Sequence, residues 1–231
     1  MTVTIITPTG GRSEAFALCE KYMARQTLKP DQWLVVDDYL PRTACTMGQE
    51  VIYPAHTWKE GDMTLTKNLL EALQKATGDY ILIIEDDDWY SPKYIETMVS
   101  YLKEHDLVGE GRAKYYNIFN SRCMIHTNME HASLCQTAFT KKLIPDIIKT
   151  VKDNITQKFI DIEIWKIDCK KIIFDGKNIC VGIKGMPGRG GIGYGHKDKM
   201  GKPDTRRFHL LKQWIGSDTT NYEYSPCAQV S

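Results

Sequence analysis

Residues 80–92 read YILIIEDDDWYSP. Five apolar or aromatic residues, from Tyr80 to Ile84, run without interruption into four consecutive carboxylates, Glu85, Asp86, Asp87 and Asp88. A run with no alternation of apolar and polar side chains predicts a strand covered on both faces, as in parallel sheets flanked by helices. Four like charges at the end of such a strand repel one another and lose hydration, so their placement needs a physical reason. A divalent cation supplies one, because Mg²⁺ and Mn²⁺ take oxygen ligands and share their shell with substrate phosphates. A solvated acidic turn is the plainer alternative, and it suits an amphipathic strand better than this one.

Working outward, residues 3–6 are a β-branched run stopped by Pro8, Gly10 and Gly11, the pattern of a buried strand and a turn. Ser13 stands at the cap position of a helix expected over residues 14–26. Residues 33–36, WLVV, form a second buried strand that ends in Asp37 and Asp38, and residues 51–53 form a weaker third. Residues 65–76 have helical apolar spacing and stop at Gly78, and Pro92 opens a further helix to about His105. Strands alternating with helices over residues 1–105 predict an α/β fold with a mainly parallel central sheet, whose ligands lie at the carboxyl ends of the strands. Both acidic clusters fall at such ends.

The remainder, 106–231, is less regular and is expected to form a smaller region of the same single domain. Residues 113–118 and 121–125 read as a hairpin around Phe119 and Asn120, residues 143–152 and 157–166 as helices, and residues 171–174 and 179–183 as strands. Seven glycines then fall within residues 185–201. Closely spaced glycines expose backbone N–H groups that can cradle phosphate oxygens, Arg189 can pair with a phosphate, and His196 can ligate a metal or touch a diphosphate. No P-loop motif is present.

At 231 residues with a formal net charge of +1, the chain can bury a real core and has no global pull toward polyanions. The charge is uneven, since residues 184–212 hold eight Lys or Arg against Asp198 and Asp204. The seven scattered cysteines include no C-x-x-C pair, which argues against a disulfide framework or zinc site and for a reducing compartment. No run approaches the ~20 apolar residues of a membrane span, and MTVTIITPTGGR has no signal-peptide pattern. A cytoplasmic protein without membrane insertion is expected.

VTIITPTGGR, WLVVDD and KNLLEALQKATGDYILIIEDDDWYSPKYIE, in that order, resemble the nucleotide-sugar-binding half of a GT-A glycosyltransferase, most similar to the inverting family 2. The resemblance covers about residues 2–100 and implies a Rossmann-like GT-A fold. It also implies a nucleotide-sugar donor, such as a UDP-sugar, and Mn²⁺ or Mg²⁺ as cofactor. The family's metal motif falls on residues 85–88, with Asp87 on metal and diphosphate, Glu85 nearer the ribose, and Asp86 and Asp88 as alternative partners in the shell. Thr7, Pro8 and Arg12 are implied to flank base and ribose, and Asp37, with Asp38 beside it, to meet uracil. The catalytic base of inverting members falls on residues 159–166, FIDIEIWK, where Asp161 is the choice and Glu163 the alternative. Positions i and i+2 do not share a helix face, so only one of the two is expected to enter the site.

The resemblance also implies a hydroxyl-bearing acceptor, with residues 106–231 as the smaller acceptor-side region. The basic C-terminal stretch with Tyr194, Phe208 and Trp214 interleaved suits a phosphate backbone and stacked bases. Some bacteriophage enzymes of this general type glycosylate hydroxymethylated pyrimidines in DNA, and a saccharide or cell-surface polymer precursor is the main competitor. A sugar-phosphate nucleotidyltransferase and a non-catalytic binding module are the readings from other classes.

Overall fold

The computed structural model describes residues 1–191, 195, 196 and 200–223. Strand β1 (Val3–Thr9) and helix α1 (Ser13–Ala24) lead to β2 (Gln32–Asp37) and β3 (Glu50–Ile52). Then come α2 (Leu65–Leu73), β4 (Tyr80–Ile83), the two-residue β5 (Trp89–Tyr90) and α3 (Tyr94–Leu102). β6 (Leu107–Glu110) precedes the hairpin of β7 (Lys114–Asn117) and β8 (Arg122–Ile125), followed by β9 (Thr137–Thr140), α4 (Ile144–Asp153) and α5 (Ile160–Ile164). Strands β10 (Lys171–Phe174), β11 (Cys180–Lys184) and β12 (Lys202–Pro203), with helices α6 (His209–Ile215) and α7 (Thr220–Glu223), close the described chain.

Seven strands form the main sheet in the order β10-β6-β9-β4-β1-β2-β3. All run parallel except β9, which is antiparallel to β4 and β6 on either side of it. β9 was not legible beforehand, since Thr137-Ala138-Phe139-Thr140 holds only two apolar residues and is buried through its neighbours. A second sheet, in the order β12-β8-β7-β11-β5, stands against the acidic end of β4.

The alternation of side chains explains the unbroken apolar run. Leu82 and Ile84 join Val3, Ile5 and Val35 in one core, which α1 and α3 cover with Phe16, Tyr22 and Met98. Ile81 and Ile83 join Ile6, Leu34 and Val36 in the other, covered by Leu69 of α2, Ile147 of α4 and Ile164 of α5. Both faces of β4 are therefore dry, as its sequence predicts.

Several boundaries move. The cap of α1 is Arg12, and Ser13 is its first residue with no side-chain capping bond. The helix expected over 157–166 contracts to the five residues of α5, because Phe159 is not helical and Trp165 closes the turn. Pro92 lies in the turn ahead of α3 rather than in its first helical turn. Among the described residues no helix is long and apolar enough to cross a membrane.

Leu82 is wholly buried between Ile5 and Ala138. Leu82→Ala should cost about 2–5 kcal/mol of stability, a lowered urea midpoint being the measurement.

Candidate functional site

Because β1, β2, β4 and β6 are parallel, their carboxyl ends open on one edge of the sheet, bringing Thr9, Asp37, Glu85 and Glu110 to that edge. A cavity of about 370 Å³ opens there. Its wall includes Pro8, Arg12 and Thr64 from the first half of the chain and Tyr115, His131 and Asp161 from the second.

The acidic turn crosses from one sheet to the other. Ile84 still donates to Ile6 of β1, at 2.9 Å, and Trp89 already pairs with Val181 of β11. Tyr90 clamps the turn between them, its hydroxyl accepting the Glu85 N–H at 2.8 Å. The four acids then take different environments. Asp86 accepts the Thr9 hydroxyl at 2.6 Å and Arg12 at 2.9 Å. Asp87 Oδ2 lies 2.8 Å from Arg12 and 3.7 Å from His196 Nε2. Asp88 Oδ1 accepts the Ile183 N–H at 2.8 Å and lies 3.7 Å from Lys184 Nζ. Glu85, Asp86 and Asp87 line the cavity, and Asp88 turns into the protein toward Cys135.

Burial, with the neighbouring Asp88 charge, pushes Glu85 up to about 8. Burial also lifts Asp86 to about 6 against the pull of Arg12, and Asp88 to about 6 against that of Lys184. Asp87 is lowered, because Arg12, Lys184 and His196 together outweigh its burial. Burial and Lys184 drive His196 down to about 3, so its imidazole is neutral at ordinary pH.

A divalent cation fits this set. Asp87 Oδ1 and Asp88 Oδ2 are buried carboxylate oxygens with no hydrogen-bond partner. Ligand atoms of Glu85, Asp88 and Cys135 lie within 4.8 Å of one another. Of the expected metal residues, Asp87 and His196 meet at the cavity wall, whereas Asp88 faces Cys135 because the Ile183 N–H holds its other oxygen.

The glycine-rich loop closes against the first turn. Arg189 donates its backbone N–H to Gly11 at 2.8 Å, an approach open to Gly188 because a Cβ there would lie 2.3 Å from the Gly11 oxygen. The guanidinium of Arg189 reaches Asp38 at 2.5 Å and Thr64 at 2.9 Å, and lies 4.7 Å over the Trp58 ring. Asp38 also accepts Asn68 at 2.9 Å. Asp37 accepts the backbone N–H groups of Tyr39 at 3.1 Å and Thr43 at 2.7 Å, so its carboxylate ties the turn after β2 and does not line the cavity. Thr7 is likewise internal, accepting Trp33 Nε1 at 3.0 Å, whereas Pro8 and Arg12 line the wall.

On the opposite side, Asp161 in the first turn of α5 lines the cavity with His131. Its carboxyl is raised by burial, partly offset by His131. Glu163 is not part of the wall and pairs with Lys166 at 2.8 Å. Phe208, expected to stack bases, is buried against Tyr116 at 5.9 Å, and Trp214 packs edge-on to the same ring. Tyr194 lies outside the described residues.

Sequence reasoning counted Lys184 only within the basic run of residues 184–212, as a candidate site for a polyanion or a nucleotide diphosphate, and passed over Glu110, Thr64 and Asn68. A signal existed for Lys184 and Glu110. Both end apolar strands, β11 and β6, with a charge, as Glu85 follows β4. No comparable pattern marks Thr64 or Asn68.

The model of the family described as Glycosyl transferase family 2 matches residues 4–160. No curated protein matches the chain in sequence. Among solved structures, S. aureus TarS 1-349 in complex with UDP-GlcNAc has a TM-score of 0.55 at 15% identity, covering 79% of this chain and 58% of that one. The mannosyltransferase PcManGT from Pyrobaculum calidifontis, in complex with GDP-Man and Mn2+, has a TM-score of 0.50 at 15% identity, covering 82% and 58%. The chain thus spans less than two thirds of the structures it resembles, and at these identities the likeness is one of fold.

Glu110, on the cavity wall, accepts the N–H groups of Ile179 and Cys180 at 3.2 and 3.0 Å, yet burial lifts its carboxyl from 4.5 to about 7. The stability that protonation supplies is full below the ordinary value and is lost as pH rises through the raised one. Between about pH 5 and pH 8.5, Glu110→Gln should therefore gain on the order of 2 kcal/mol relative to wild type. The difference between the two melting temperatures measures it, and a pH-independent difference would contradict a shifted Glu110.

Proposed function

The chain belongs to glycosyl transferase family 2, and on that premise we propose that it is an inverting glycosyltransferase moving a sugar from a nucleotide-sugar, such as a UDP-sugar, to a hydroxyl. The observation that carries this reading is a single cavity walled by the acidic turn and Arg12 on one side and by Asp161 on the other. Pro8, Arg12, Thr64 and Asn68 would receive the nucleoside, with the Asp38–Arg189 pair behind them. Asp161 takes the proton of the acceptor hydroxyl as that oxygen attacks the anomeric carbon, and burial suits it to the task by raising its basicity. The bond from that carbon to the phosphate oxygen breaks on the opposite face, which inverts the configuration.

Mn²⁺ or Mg²⁺, held by Asp87 with Glu85 and the neutral His196, would supply positive charge to the departing diphosphate. We assign Asp86 to the orientation of Arg12, since both of its oxygens are already bonded.

The acceptor side carries the aromatic Tyr115, His126 and Phe159 with the cation of Lys158, groups that suit a planar, anionic acceptor. A hydroxymethylated pyrimidine in DNA is the acceptor proposed, with a saccharide precursor as alternative. Duplex binding that weakens steeply with salt would support DNA. No binding at low salt would remove it.

Asp161→Asn should lower kcat by about 10²–10⁴-fold while donor KM stays near wild type. Glu163→Gln should leave kcat within a few-fold, and equal losses in the two variants would unseat Asp161 as base. Asp87→Asn should abolish transfer of sugar from UDP-sugars or GDP-sugars with the fold intact, as should chelation of the divalent cation. A sugar-phosphate nucleotidyltransferase would instead consume a nucleoside triphosphate.

A further inference from the structure

Asn117 is the last residue of β7, paired with Lys184 of β11 and Arg122 of β8, and it is buried. Its side-chain oxygen accepts the N–H groups of Phe119 at 2.9 Å and Asn120 at 3.1 Å, which closes the hairpin turn. With the oxygen facing two donors, the amide nitrogen faces the other way, and it donates to the Gly195 carbonyl at 2.8 Å. Asp or Ser could close such a turn as well as Asn. The nitrogen half of the amide is therefore spent on the glycine-rich loop, 78 residues further along the chain.

Gly195 immediately precedes His196, whose Nε2 lies 3.7 Å from Asp87 Oδ2. Among the described residues the bond from Asn117 is the one hydrogen bond made by Gly195 or His196. Gly195 holds φ at +94°, and Gly191 leaves room for the ring, since a Cβ there would lie 2.2 Å from His196 Nε2. The hairpin grips the chain again beyond His196, through Arg122 Nε on the Met200 carbonyl at 2.8 Å and through β12 paired with β8. The imidazole thus reaches the acidic turn on a loop whose backbone a strand holds at the adjoining residue. A loop free at that point would lose conformational entropy each time the imidazole came in, which a preformed bond avoids. Resting on the transferase reading above, with its divalent cation, we propose that Asn117 is a positioning residue. Through the Gly195 carbonyl it places the His196 imidazole beside Asp87, and so raises the affinity of the site for Mn²⁺ or Mg²⁺. Asn117 is not part of the cavity wall, so it acts only through His196.

The test titrates Mn²⁺, alone and with UDP or GDP, into wild type, Asn117→Ser, His196→Ala and the double variant, reading free Mn²⁺ by electron paramagnetic resonance. Serine keeps an acceptor for the turn and is too short to reach the loop. Asn117→Ser should weaken Mn²⁺ binding by about 10-fold, and His196→Ala at least as much. The double variant should bind no more weakly than His196→Ala, because the two losses are one. Undiminished Mn²⁺ binding in Asn117→Ser overturns the proposal while leaving the cation reading in place. Additive losses in the double variant overturn it too, since Asn117 would then be a structural residue that acts apart from His196. A wild type that binds Mn²⁺ in none of the mixtures sinks the cation reading and this assignment with it. Should Asn117→Ser fail to fold, Asn117→Asp replaces it, because its carboxylate keeps both turn bonds and offers the loop no donor. The added charge favours a cation, so a loss measured there counts in full for the proposal. Failure of both variants to fold would assign the amide to the fold alone and overturn the proposal.

Discussion

Carboxylates crowded out of water need cations facing them, and the end of β4 collects four within four residues. The fold answers with two cations from distant segments. Arg12 comes from the turn after β1, and Lys184 from the end of β11, in the other sheet. Both are held fully charged: the acids outweigh the burial that would lower each of them. The requirement that these charges meet fixes where the second sheet stands, because Trp89 and Tyr90 leave the acidic turn directly into pairing with Cys180 and Val181. Two cations do not balance four acids. Part of the difference is absorbed by the raised carboxyl of Glu85. The unpartnered oxygens of Asp87 and Asp88 hold the rest, which is what a divalent ion would neutralise.

The parts legible in the sequence follow from local rules. An apolar run buried on both faces, such as residues 80–84, can only be a central strand, and βα alternation then forces parallel pairing. The strand-end positions of residues 85–88 and 37–38 come with that topology. Helix geometry admits only one of Asp161 and Glu163 to the site, the resemblance chooses Asp161, and the structure brings that residue to the cavity. The illegible parts depend on long-range pairing. β9 is a strand because β4 and β6 leave a gap of one strand between them, and four residues of modest hydrophobicity fill it. Asp37 and Asp38 look alike in sequence, but the turn to Thr43 consumes the first and Arg189, 151 residues away, meets the second. Phe208 reads as an exposed aromatic amid basic residues until Tyr116 is seen beneath it.

Lys184 and Arg189 sit five residues apart on one segment, yet they are held in opposite ways. Lys184 belongs to a strand paired on both sides, by β5 and β7, so its ammonium is placed by the sheet. Arg189 belongs to a glycine-rich loop and is placed by the Gly11 carbonyl, Asp38 and Thr64. The first arrangement resists displacement, because moving Lys184 means breaking strand pairing next to the acidic turn. The second rests on one backbone bond and two side-chain bonds, in a segment whose glycines leave the backbone few contacts of its own. On the proposed reading, the chain thus presents one cation held by strand pairing and one held by a loop to the same cavity. The first is the preorganised one, and preorganised charge need not reorganise as the charges around it change.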